Sequence, residues 1–376
     1  MNSIRVLHLC SYYNTSSLYK NLFDSLDKMG VNQDVYIPMY KNQELVSSYG
    51  TVHSYSENHN NITFLYSRIM HSHMRYLLVL RTLFAASYIA NKRDVKSYNM
   101  LHAHSLLFNG GIAYVLKKRY GIKYIVAVRN TDLYVLNKLP FYKPFANRIV
   151  NNSEKVVFIS NSIEKRFNAL MGHSLKSHAI VIPNGISSDW YTNNTHYCKK
   201  DGEPFHFVYQ GTLHHRKRLP YVINIIDCLN NNGYKCDLLI VGEGPDKTEI
   251  IEQMERCENN KSQIRLSGWS NSIDQIKTNY LNADAFIMLS YDETFGISYI
   301  EALACGTPIV YTKHDGIDGM VLPEQGLGLK CISLEDDVIA LEEFISNYNY
   351  YKNGTNKKTF SWDEISVDYY SLYKTL

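Results

Sequence analysis

Residues 291–306 read YDETFGISYIEALACG, and this stretch carries more information about the fold than any other part of the chain. Gly296 lies at a predicted strand-to-helix turn, and Ile297–Ala304 has the pattern of a helix. Such a turn directs free backbone N–H groups and the positive end of a helix towards a ligand, which suits a phosphate. Glu293 is predicted to lie in the loop before the helix. Glu301 is predicted one turn into it, where its carboxylate can accept hydrogen bonds from two adjacent hydroxyls.

On both sides of this stretch, short β-branched runs alternate with longer helical patterns, which indicates parallel sheets covered by helices on both faces. The predicted strands are Arg5–Cys10, Asp34–Pro38, Met100–His104, Tyr124–Val128, Val156–Ser160, Ile180–Pro183, His206–Gln210, Leu238–Gly242, Ile264–Ser267, Ala285–Leu289 and Ile309–Thr312. The predicted helices include Ser17–Met29, Leu107–Tyr120, Pro220–Asn232, Asp246–Cys257 and Ile297–Ala304. The fold class is therefore α/β, with doubly wound sheets.

The alternation pauses once, at the polar and turn-rich segment Ser187–Glu203, which is typical of a linker. We therefore predict two Rossmann-like domains, at residues 1–186 and 203–355. Residues 356–376 are predicted to form a C-terminal helix. Its apolar positions Trp362, Ile365, Tyr369, Leu372 and Tyr373 fall near one helix face.

Composition excludes several classes of protein. The chain has 376 residues, 45% of them hydrophobic, and a net charge of +3, which does not favour nucleic-acid binding. Seven cysteines without a CxxC pair fit a reducing compartment, so a cytoplasmic location is expected. The N-terminal residues lack a signal-peptide cleavage site, and no apolar run is long enough to span a bilayer.

The segment ETFGISYIEALACGTPIV resembles the signature of glycosyltransferase family 4, the retaining enzymes with the two-domain GT-B fold. The resemblance implies that Glu301 binds the ribose of a nucleotide-sugar donor and that Glu293 contacts the sugar. It also implies that the main chain at Phe295, Gly296, Ile297 and Ser298 meets sugar or phosphate. In this fold the C-terminal helix crosses back to the first domain.

Further segments match this family in the same order along the chain. VYQGTLHHRK resembles the loop of a glycine followed by a basic pair, which implies that Gly211 borders the donor and that Arg216 and Lys217 neutralise its diphosphate. LSGW places Gly268 in the loop that usually faces the base. VGEGP, IPNG and the tail around Trp362 match as well. Thr212 and Arg218 depart from the usual pattern, so either basic residue remains a candidate for the charge that stabilises the leaving group.

The first half matches the family only in its predicted topology. RNTD at 129–132 stands where the family often has His-Gly-x-Asp, so no catalytic histidine is carried over. Asn130 and Asp132 are expected to line the acceptor side, because ligands gather at the carboxyl ends of parallel strands. The segment SYYNTSS at 11–17 replaces the glycine pair that commonly follows the first strand.

Motifs for binding a metal or a dinucleotide are weak or incomplete in this sequence. The chain lacks a D-x-D motif, so no metal and no cofactor are expected, and a UDP-sugar is the favoured donor. His102 and His104 form an H-x-H without an accompanying carboxylate or cysteine cluster, which is weak support for a metal site. Gly242-Glu243-Gly244 lacks the third glycine of a dinucleotide fingerprint.

Asn61–Arg93 is predicted to form one or two helices. Arg68, His71, Ser72 and Arg75 share one face. The apolar residues Ile69, Met70, Leu77, Leu80 and Phe84 lie broadly opposite, with Arg81 interrupting the apolar side. This pattern fits either a peripheral membrane contact or a helix that covers the first sheet.

These observations predict a metal-independent, retaining hexosyltransferase-type enzyme of surface polysaccharide synthesis. It would transfer a sugar from a nucleotide-diphosphate donor to a glycan or lipid-linked acceptor, at the inner face of the membrane or free in the cytoplasm. Two alternatives stay open: an epimerase or phosphorylase of the same fold, and a non-catalytic subunit that binds sugar nucleotides.

Overall fold

The computed structural model describes residues 4–13, 17–40, 46–47, 50–51, 56–59, 61–70, 77–172, 174–175, 178–191, 202–257, 261–269, 272–356 and 359–376. The chain divides into two compact units. Unit 1 comprises Met1–Ile159, Ile163–Gly185 and Trp362–Leu376, and unit 2 comprises Ser160–Ser162 and Ile186–Ser361. Within the described residues, no helix combines the length and the apolar character needed to cross a membrane.

Unit 1 is built on a parallel sheet with one antiparallel edge strand. Its strands are β1 (Arg5–Leu9), β2 (Asn32–Tyr40), β5 (Ser56–His59), β6 (Ile62–Met70), β7 (Met100–Ala103), β8 (Tyr124–Val128), β9 (Lys155–Phe158) and β10 (Ala179–Val181). They lie in the order β10-β9-β8-β7-β1-β2-β6-β5, and β5 runs antiparallel to β6. β3 (Val46–Ser47) and β4 (Gly50–Thr51) form a separate small ladder. The strand order reverses between β1 and β7, which creates a switch point at their carboxyl ends.

Helices cover this sheet and complete its core. They are α1 (Ser17–Lys28), α2 (Leu78–Lys92), α3 (Phe108–Tyr120), α4 (Asn130–Lys138), α5 (Lys143–Asn152) and α6 (Asn161–Met171), together with the last helix of the chain, α13 (Trp362–Thr375). Every residue of β8 is buried, as expected for a central parallel strand. Trp362 packs so closely on Gly185 that a Cβ at the glycine would lie 2.8 Å from the indole. The apolar face predicted for the tail is buried as a whole, and α13 returns to unit 1.

Unit 2 contains an all-parallel, six-stranded sheet. Its strands are β11 (Phe205–Gln210), β12 (Cys236–Val241), β13 (Ile264–Ser267), β14 (Ala285–Ile287), β15 (Ile309–Thr312) and β16 (Gly326–Leu329), in the order β13-β12-β11-β14-β15-β16. Its helices are α7 (Leu219–Asn231), α8 (Lys247–Arg256), α9 (Ile273–Leu281), α10 (Ile297–Ala304), α11 (Leu334–Ser346) and α12 (Tyr348–Gly354). The strand order reverses between β11 and β14, so unit 2 also has a switch point.

The prediction of helices over Asn61–Arg93 is wrong in its first part. Ile62–Met70 is strand β6, which pairs in parallel with β2. The sequence ITFLYSRIM is rich in β-branched and aromatic residues, and its strand preference outweighs the helical spacing of Arg68 with later residues. His71, Ser72 and Arg75 lie outside the described residues.

The second part of that segment is helical, but a different face is buried. α2 buries Thr82, Ala85, Ala86 and Ile89, whereas Leu80 and Phe84 are exposed. The reason is close helix packing: a Cβ at Gly111 of α3 would lie 2.6 Å from Cγ2 of Thr82, so small side chains must occupy the contact.

The predicted linker is packed at its start. Residues 188–190 form a short 3-10 turn, and Trp190 is buried with its ring 6.4 Å from that of Tyr280. Lys277 donates a hydrogen bond to the carbonyl oxygen of Asp189. Residues 192–201 of this segment lie outside the described residues.

Candidate active site

The predicted donor-binding residues of unit 2 follow strands on both sides of its switch point. Gly211, Arg216 and Lys217 come after β11, and Glu293 follows β14. Because β11 and β14 are adjacent and parallel, their carboxyl ends meet at one sheet edge. The topology therefore brings Arg216 and Lys217, here called the basic turn, close to Glu293, although 75 residues separate Lys217 from Glu293 in sequence.

Lys217 and Glu293 form an ion pair at this edge. The ammonium Nζ lies 2.5 Å from Oε2 of Glu293, and both side chains are largely buried, with 14% and 13% of their surface exposed. Lys217 Nζ also lies 3.4 Å from Sδ of Met288. Oε1 of Glu293 accepts a hydrogen bond from the backbone N–H of Thr294. An ammonium has three N–H donors, so Lys217 can keep its contact with Glu293 and still meet a phosphate oxygen.

Arg216 is fixed to the same loop by its main chain and side chain. Its carbonyl oxygen accepts a hydrogen bond from Tyr291 N–H, and its Nη1 donates to the carbonyl oxygen of Asp292 at 3.3 Å. His214 caps the 3-10 turn at residues 215–217 through its ring nitrogen. Both cations of the basic turn are therefore held next to the loop that carries Glu293.

Gly296 starts α10 with a left-handed backbone, at φ +88°. A Cβ at this position would lie 2.4 Å from the ring of Tyr299, so only glycine fits. The next two residues, Ile297 and Ser298, occupy the first turn of α10, whose N–H groups have no acceptor within the helix. The sequence predicts that this helix end binds an anion, and free N–H groups in the first turn of a helix suit a phosphate.

Glu301 lies in the second turn of α10 and is half-buried. Burial raises the pKa of Glu301 to about 7, and the nearby Tyr280 side chain opposes part of this rise. Tyr280 is a site neighbour that sequence reasoning missed. It lies in α9, far from the signature, and no motif marks it.

The remaining predicted donor residues have different surroundings. The Phe295 side chain is buried against Phe360, with ring centroids 6.0 Å apart, so only its main chain is available to a ligand. Gly268 follows the edge strand β13, and a Cβ there would lie 3.5 Å from Oε1 of Glu243. Gly211 is placed next to β12, since its N–H donates to the carbonyl oxygen of Val241.

The VGEGP turn is required by close backbone packing. Cβ atoms at Gly242 and Gly244 would lie 2.0 Å from the carbonyl oxygen of Gly211 and 2.1 Å from that of Leu213. These glycines therefore let the loops after β11 and β12 touch, which fixes the position of the basic turn.

In unit 1, the two predicted acceptor-side residues differ in their availability. Asn130 is the first residue of α4 and is half-buried. Asp132 is buried, and its carboxylate accepts hydrogen bonds from the backbone N–H groups of Leu106, Leu107 and Arg129. Asp132 thus fixes the loop after β7, and its two carboxylate oxygens already accept these three hydrogen bonds.

Beneath that loop lies a cluster of three histidines, of which sequence reasoning identified only two. His8 on β1 joins His102 and His104, and all three are fully buried. His8 Nδ1 lies 3.0 Å from His104 Nε2, and His102 Nδ1 lies 2.7 Å from the Tyr373 hydroxyl. Burial lowers the pKa of His8 to about 3 and lowers those of His102 and His104 well below the usual value. The imidazoles are neutral, and the nearby positive charge of Arg129 disfavours a metal cation there.

Two known protein families match this chain, one in each half. Residues 17–190 match Glycosyltransferase Family 4, and residues 197–358 match Glycosyl transferases group 1. The chain belongs to glycosyltransferase family 4. The two matches cover the two units in order, so family membership includes the first half, where the motifs alone showed little.

This family 4 member is similar to a curated sequence relative and to solved structures. It is 26% identical over 263 residues to the putative teichuronic acid biosynthesis glycosyltransferase TuaC of Bacillus subtilis, covering 67% of this chain and 61% of that protein. Among solved structures, the lipopolysaccharide outer core galactosyltransferase WaaB superposes with a TM-score of 0.73 at 15% identity, covering 99% and 100% of the chains. Anabaena HepE in complex with UDP and glucose superposes with a TM-score of 0.65 at 13% identity, covering 99% and 100%. The fold is GT-B.

Proposed function

We propose that this family 4 glycosyltransferase transfers a hexose from a nucleotide-diphosphate donor with retention of configuration. The observation that carries the proposal is the ion pair between Lys217 of the basic turn and Glu293, at the switch point of unit 2. The diphosphate would contact Arg216, Lys217 and the first turn of α10. The ribose would contact Glu301 and the sugar Glu293.

The arrangement of charges suits bond cleavage at a diphosphate. As the bond between the sugar C1 and the phosphate oxygen breaks, that oxygen gains negative charge, and a fixed cation lowers the energy of the transition state. The acceptor oxygen forms the new bond to C1 on the same face, and its proton passes to the departing phosphate oxygen. Glu293 is held by Lys217, so its carboxylate is better placed to orient the sugar than to act as a nucleophile.

The proposed donor is a UDP-sugar, and the proposed acceptor is a glycan or a lipid-linked molecule. HepE binds UDP and glucose, and WaaB and TuaC are described as enzymes of lipopolysaccharide and teichuronic acid synthesis. These names support a role in surface polysaccharide synthesis. The proposed location is the cytoplasm or the inner face of the membrane, because the scattered cysteines fit a reducing compartment.

The reaction is proposed to be independent of a divalent metal and of any cofactor. Arg216 and Lys217 supply positive charge at the diphosphate position, where metal-dependent transferases use an ion held by carboxylates. Transfer should therefore continue in EDTA. Activity that is lost on chelation and restored by Mn²⁺ would contradict this part of the proposal.

Contact with an anionic membrane surface is proposed for the exposed face of α2. Leu77, Leu80 and Phe84 lie on this face with 50%, 46% and 58% of their surface exposed. Arg119 of the neighbouring helix α3 donates a hydrogen bond to Ser87, one turn beyond Phe84, and Lys118 beside it is exposed. Apolar side chains flanked by basic ones are typical of interfacial helices.

Vesicle flotation tests this membrane contact. The protein should float with vesicles of phosphatidylglycerol and phosphatidylcholine and not with phosphatidylcholine alone, and salt should weaken the association. The double variant Leu80→Ser/Phe84→Ser should remain unbound. The matched control is Ile332→Ser, which removes a side chain that is 87% exposed in unit 2. Equal flotation of all three proteins would rule out α2 as the contact.

The decisive test of the transferase proposal compares the two glutamates. Glu301→Ala should weaken binding of the free nucleoside diphosphate by roughly tenfold to a hundredfold, because it removes charged hydrogen bonds to the ribose. Glu293→Ala should abolish most transfer while nucleotide affinity is retained or raised, since Lys217 then lacks its counterion. Calorimetry with UDP and a transfer assay measure the two effects.

Incubation with donor alone completes this test. An epimerase or phosphorylase would change the sugar or release it to phosphate without an acceptor, and a binding subunit would show affinity without turnover. If neither glutamate variant alters UDP binding or transfer, the assignment of the donor site to unit 2 is wrong.

A further inference from the structure

Arg129 occupies the carboxyl end of β8 in unit 1, one strand away from the switch point between β1 and β7. The residue is half-buried, at the start of α4. This edge of the sheet is where parallel α/β domains bind ligands. The side chain of Arg129 therefore lies where a substrate can reach it, and the proposed transfer mechanism does not use this residue.

The hydrogen bonds of Arg129 leave most of its guanidinium unused. Nε donates to the carbonyl oxygen of His104 at 3.3 Å, and Nη1 lies 3.5 Å from Oδ1 of Asn184. A guanidinium has five N–H donors in a planar fork. Within the described part of the chain, three of these donors have no hydrogen-bond partner, and no carboxylate lies within ion-pairing distance of the guanidinium. The guanidinium carbon also lies 5.9 Å from the centre of the Tyr19 ring, a contact that brings no negative charge.

The surroundings of Arg129 provide no free negative charge. Asp132 acts on it electrostatically, but the two oxygens of this carboxylate are occupied by three backbone N–H groups. The other groups that face Arg129 are neutral: the phenols of Tyr19 and Tyr369, the thiol of Cys10, and the imidazoles of His102 and His104. Tyr12, whose hydroxyl lies 3.3 Å from Thr131 Oγ1, adds a polar group without charge.

A cation removed from water without a counterion is costly, so proteins rarely retain one unless an anion binds there. Arginine is also the side chain whose geometry matches the two oxygens of a carboxylate or phosphate. We propose that Arg129 is an anion-recognition residue. It would bind a carboxylate or phosphate group on the substrate that approaches unit 1, and so select an acidic sugar or an acidic acceptor. This inference rests on the proposed function only for the identity of the molecule that carries the anion.

The test measures anion binding separately from the proposed donor site. In a background carrying Arg216→Ala and Lys217→Ala, inorganic phosphate and D-glucuronate should stabilise the protein against heat, whereas D-glucose should not. Adding Arg129→Met should weaken this anion binding roughly tenfold to a hundredfold. Arg129→Lys, which keeps the charge without the fork, should retain part of it. The control is Arg148→Met, which removes one exposed positive charge from α5.

Two further measurements identify the source of the anion. If the anion belongs to the donor sugar, Arg129→Met should weaken UDP-glucuronate and leave UDP-glucose unchanged. If it belongs to the acceptor, both donors should bind as before, and transfer to a phosphorylated sugar should fall relative to its neutral counterpart.

Circular dichroism and the unfolding midpoint show whether each variant is folded. Because Arg129 is a half-buried cation without an ion pair, its replacement by Met should not lower the stability of the ligand-free protein. The proposal would be overturned if the Arg129→Met and Arg148→Met variants, both made in the Arg216→Ala/Lys217→Ala background, bound the anions equally well. So would a lack of response of the parent background to both anions. Either result leaves the glutamate test of the donor site unaffected.

Discussion

At the scale of single residues, the ion pair between Lys217 and Glu293 couples two functions in one contact. The pair is largely buried, so removing either partner leaves an uncompensated charge inside the protein. In the proposed mechanism, the ammonium holds Glu293 and also contacts the diphosphate. The chemistry of the site therefore depends on the charge, length and donor number of lysine together.

Lys217→Met is predicted to lower transfer by roughly thirtyfold to a thousandfold, since a charged interaction with the leaving group contributes on the order of 2–4 kcal/mol to the transition state. Arg216→Met, which keeps the volume and removes the other cation, should have a smaller effect, because the Arg216 guanidinium donates to a backbone carbonyl, whereas Lys217 also holds Glu293. Single-turnover rates compare the two variants. Near-normal rates in both would show that the basic turn does not act on the diphosphate.

Glu301 predicts a dependence of nucleotide binding on pH. The folded-state pKa is raised to about 7, so the carboxylate is ionised above that pH and becomes protonated below it. Only the ionised form accepts hydrogen bonds from both ribose hydroxyls. UDP affinity should therefore fall about tenfold between pH 8 and pH 6, as measured by calorimetry.

The control for this pH effect is Glu301→Gln, which cannot titrate. Its UDP affinity should be lower at pH 8 and nearly constant down to pH 6. A wild-type profile that is flat over the same range would show that Glu301 does not bind the ribose in its ionised form.

At the scale of secondary-structure elements, the start of α10 is the most constrained turn of the site. Gly296 needs a left-handed backbone and lacks room for a side chain. Glu293 precedes this turn and Glu301 follows it. The backbone of Gly296 consequently determines where both carboxylates lie.

Gly296→Ala should destabilise unit 2 by more than the 1–3 kcal/mol typical of backbone strain alone and should weaken UDP binding. The comparison is Gly233→Ala, at a residue with φ +92° and no atom within 4 Å of the added Cβ. Gly233→Ala places a side chain on a left-handed backbone but brings it against no neighbouring atom. This variant should therefore be moderately destabilised and should bind UDP normally. Chemical denaturation and calorimetry on both variants measure the difference. Similar losses in the two would show that the clash with Tyr299 is relieved easily.

Sequence patterns predict the elements of this chain well where one physical preference dominates. Tyr124–Val128 is a continuous apolar run between turn residues, and the strand has those bounds. Ile62–Met70 was predicted wrongly because helical spacing and strand preference compete in it. The exposed face of α2 was also unpredictable, since it depends on the close approach of Gly111 from another helix.

The same contrast holds for the site. The signature at 291–306 makes the two glutamates candidates through its resemblance to glycosyltransferase family 4, because the residues that carry this resemblance are adjacent in sequence. Tyr280 and His8 could not be found in this way, since the sheet topology alone brings them to Glu301 and to the other histidines.

At the scale of the whole molecule, acid should affect the two units differently. His8, His102 and His104 are neutral in folded unit 1, because burial lowers their pKa values. Unfolding exposes them to water, where they bind protons near pH 6.5. The unfolded state therefore binds more protons, and the stability of unit 1 falls as the pH drops below about 6.5. Three such groups give a slope of up to roughly 4 kcal/mol per pH unit.

Glu301 acts in the opposite direction in unit 2. Its folded pKa is raised, so the folded state binds the extra proton between about pH 7 and pH 4.5, and stability increases as the pH falls. Unit 1 should therefore be the first to unfold on acidification. Hydrogen exchange followed by mass spectrometry at pH 7.5, 6 and 5 assigns the unfolding to each unit.

His102→Gln should reduce the acid sensitivity of unit 1 by about a third, because one of three protons is no longer taken up. His215→Gln, which replaces an exposed histidine of unit 2, is the control and should leave it unchanged. Acid unfolding that begins in unit 2 would contradict the assignment.

The return of α13 to unit 1 has a consequence for the order in which the protein is made. Trp362 packs on Gly185, and Tyr373 bonds to His102 in the core of unit 1. A ribosome therefore completes every residue of unit 2 before it releases the helix that unit 1 needs. Domains usually fold from the N-terminus as they emerge. In this chain unit 1 is the first to begin synthesis and the last to be completed. Its buried histidine cluster gains the Tyr373 contact only after α13 has been synthesised.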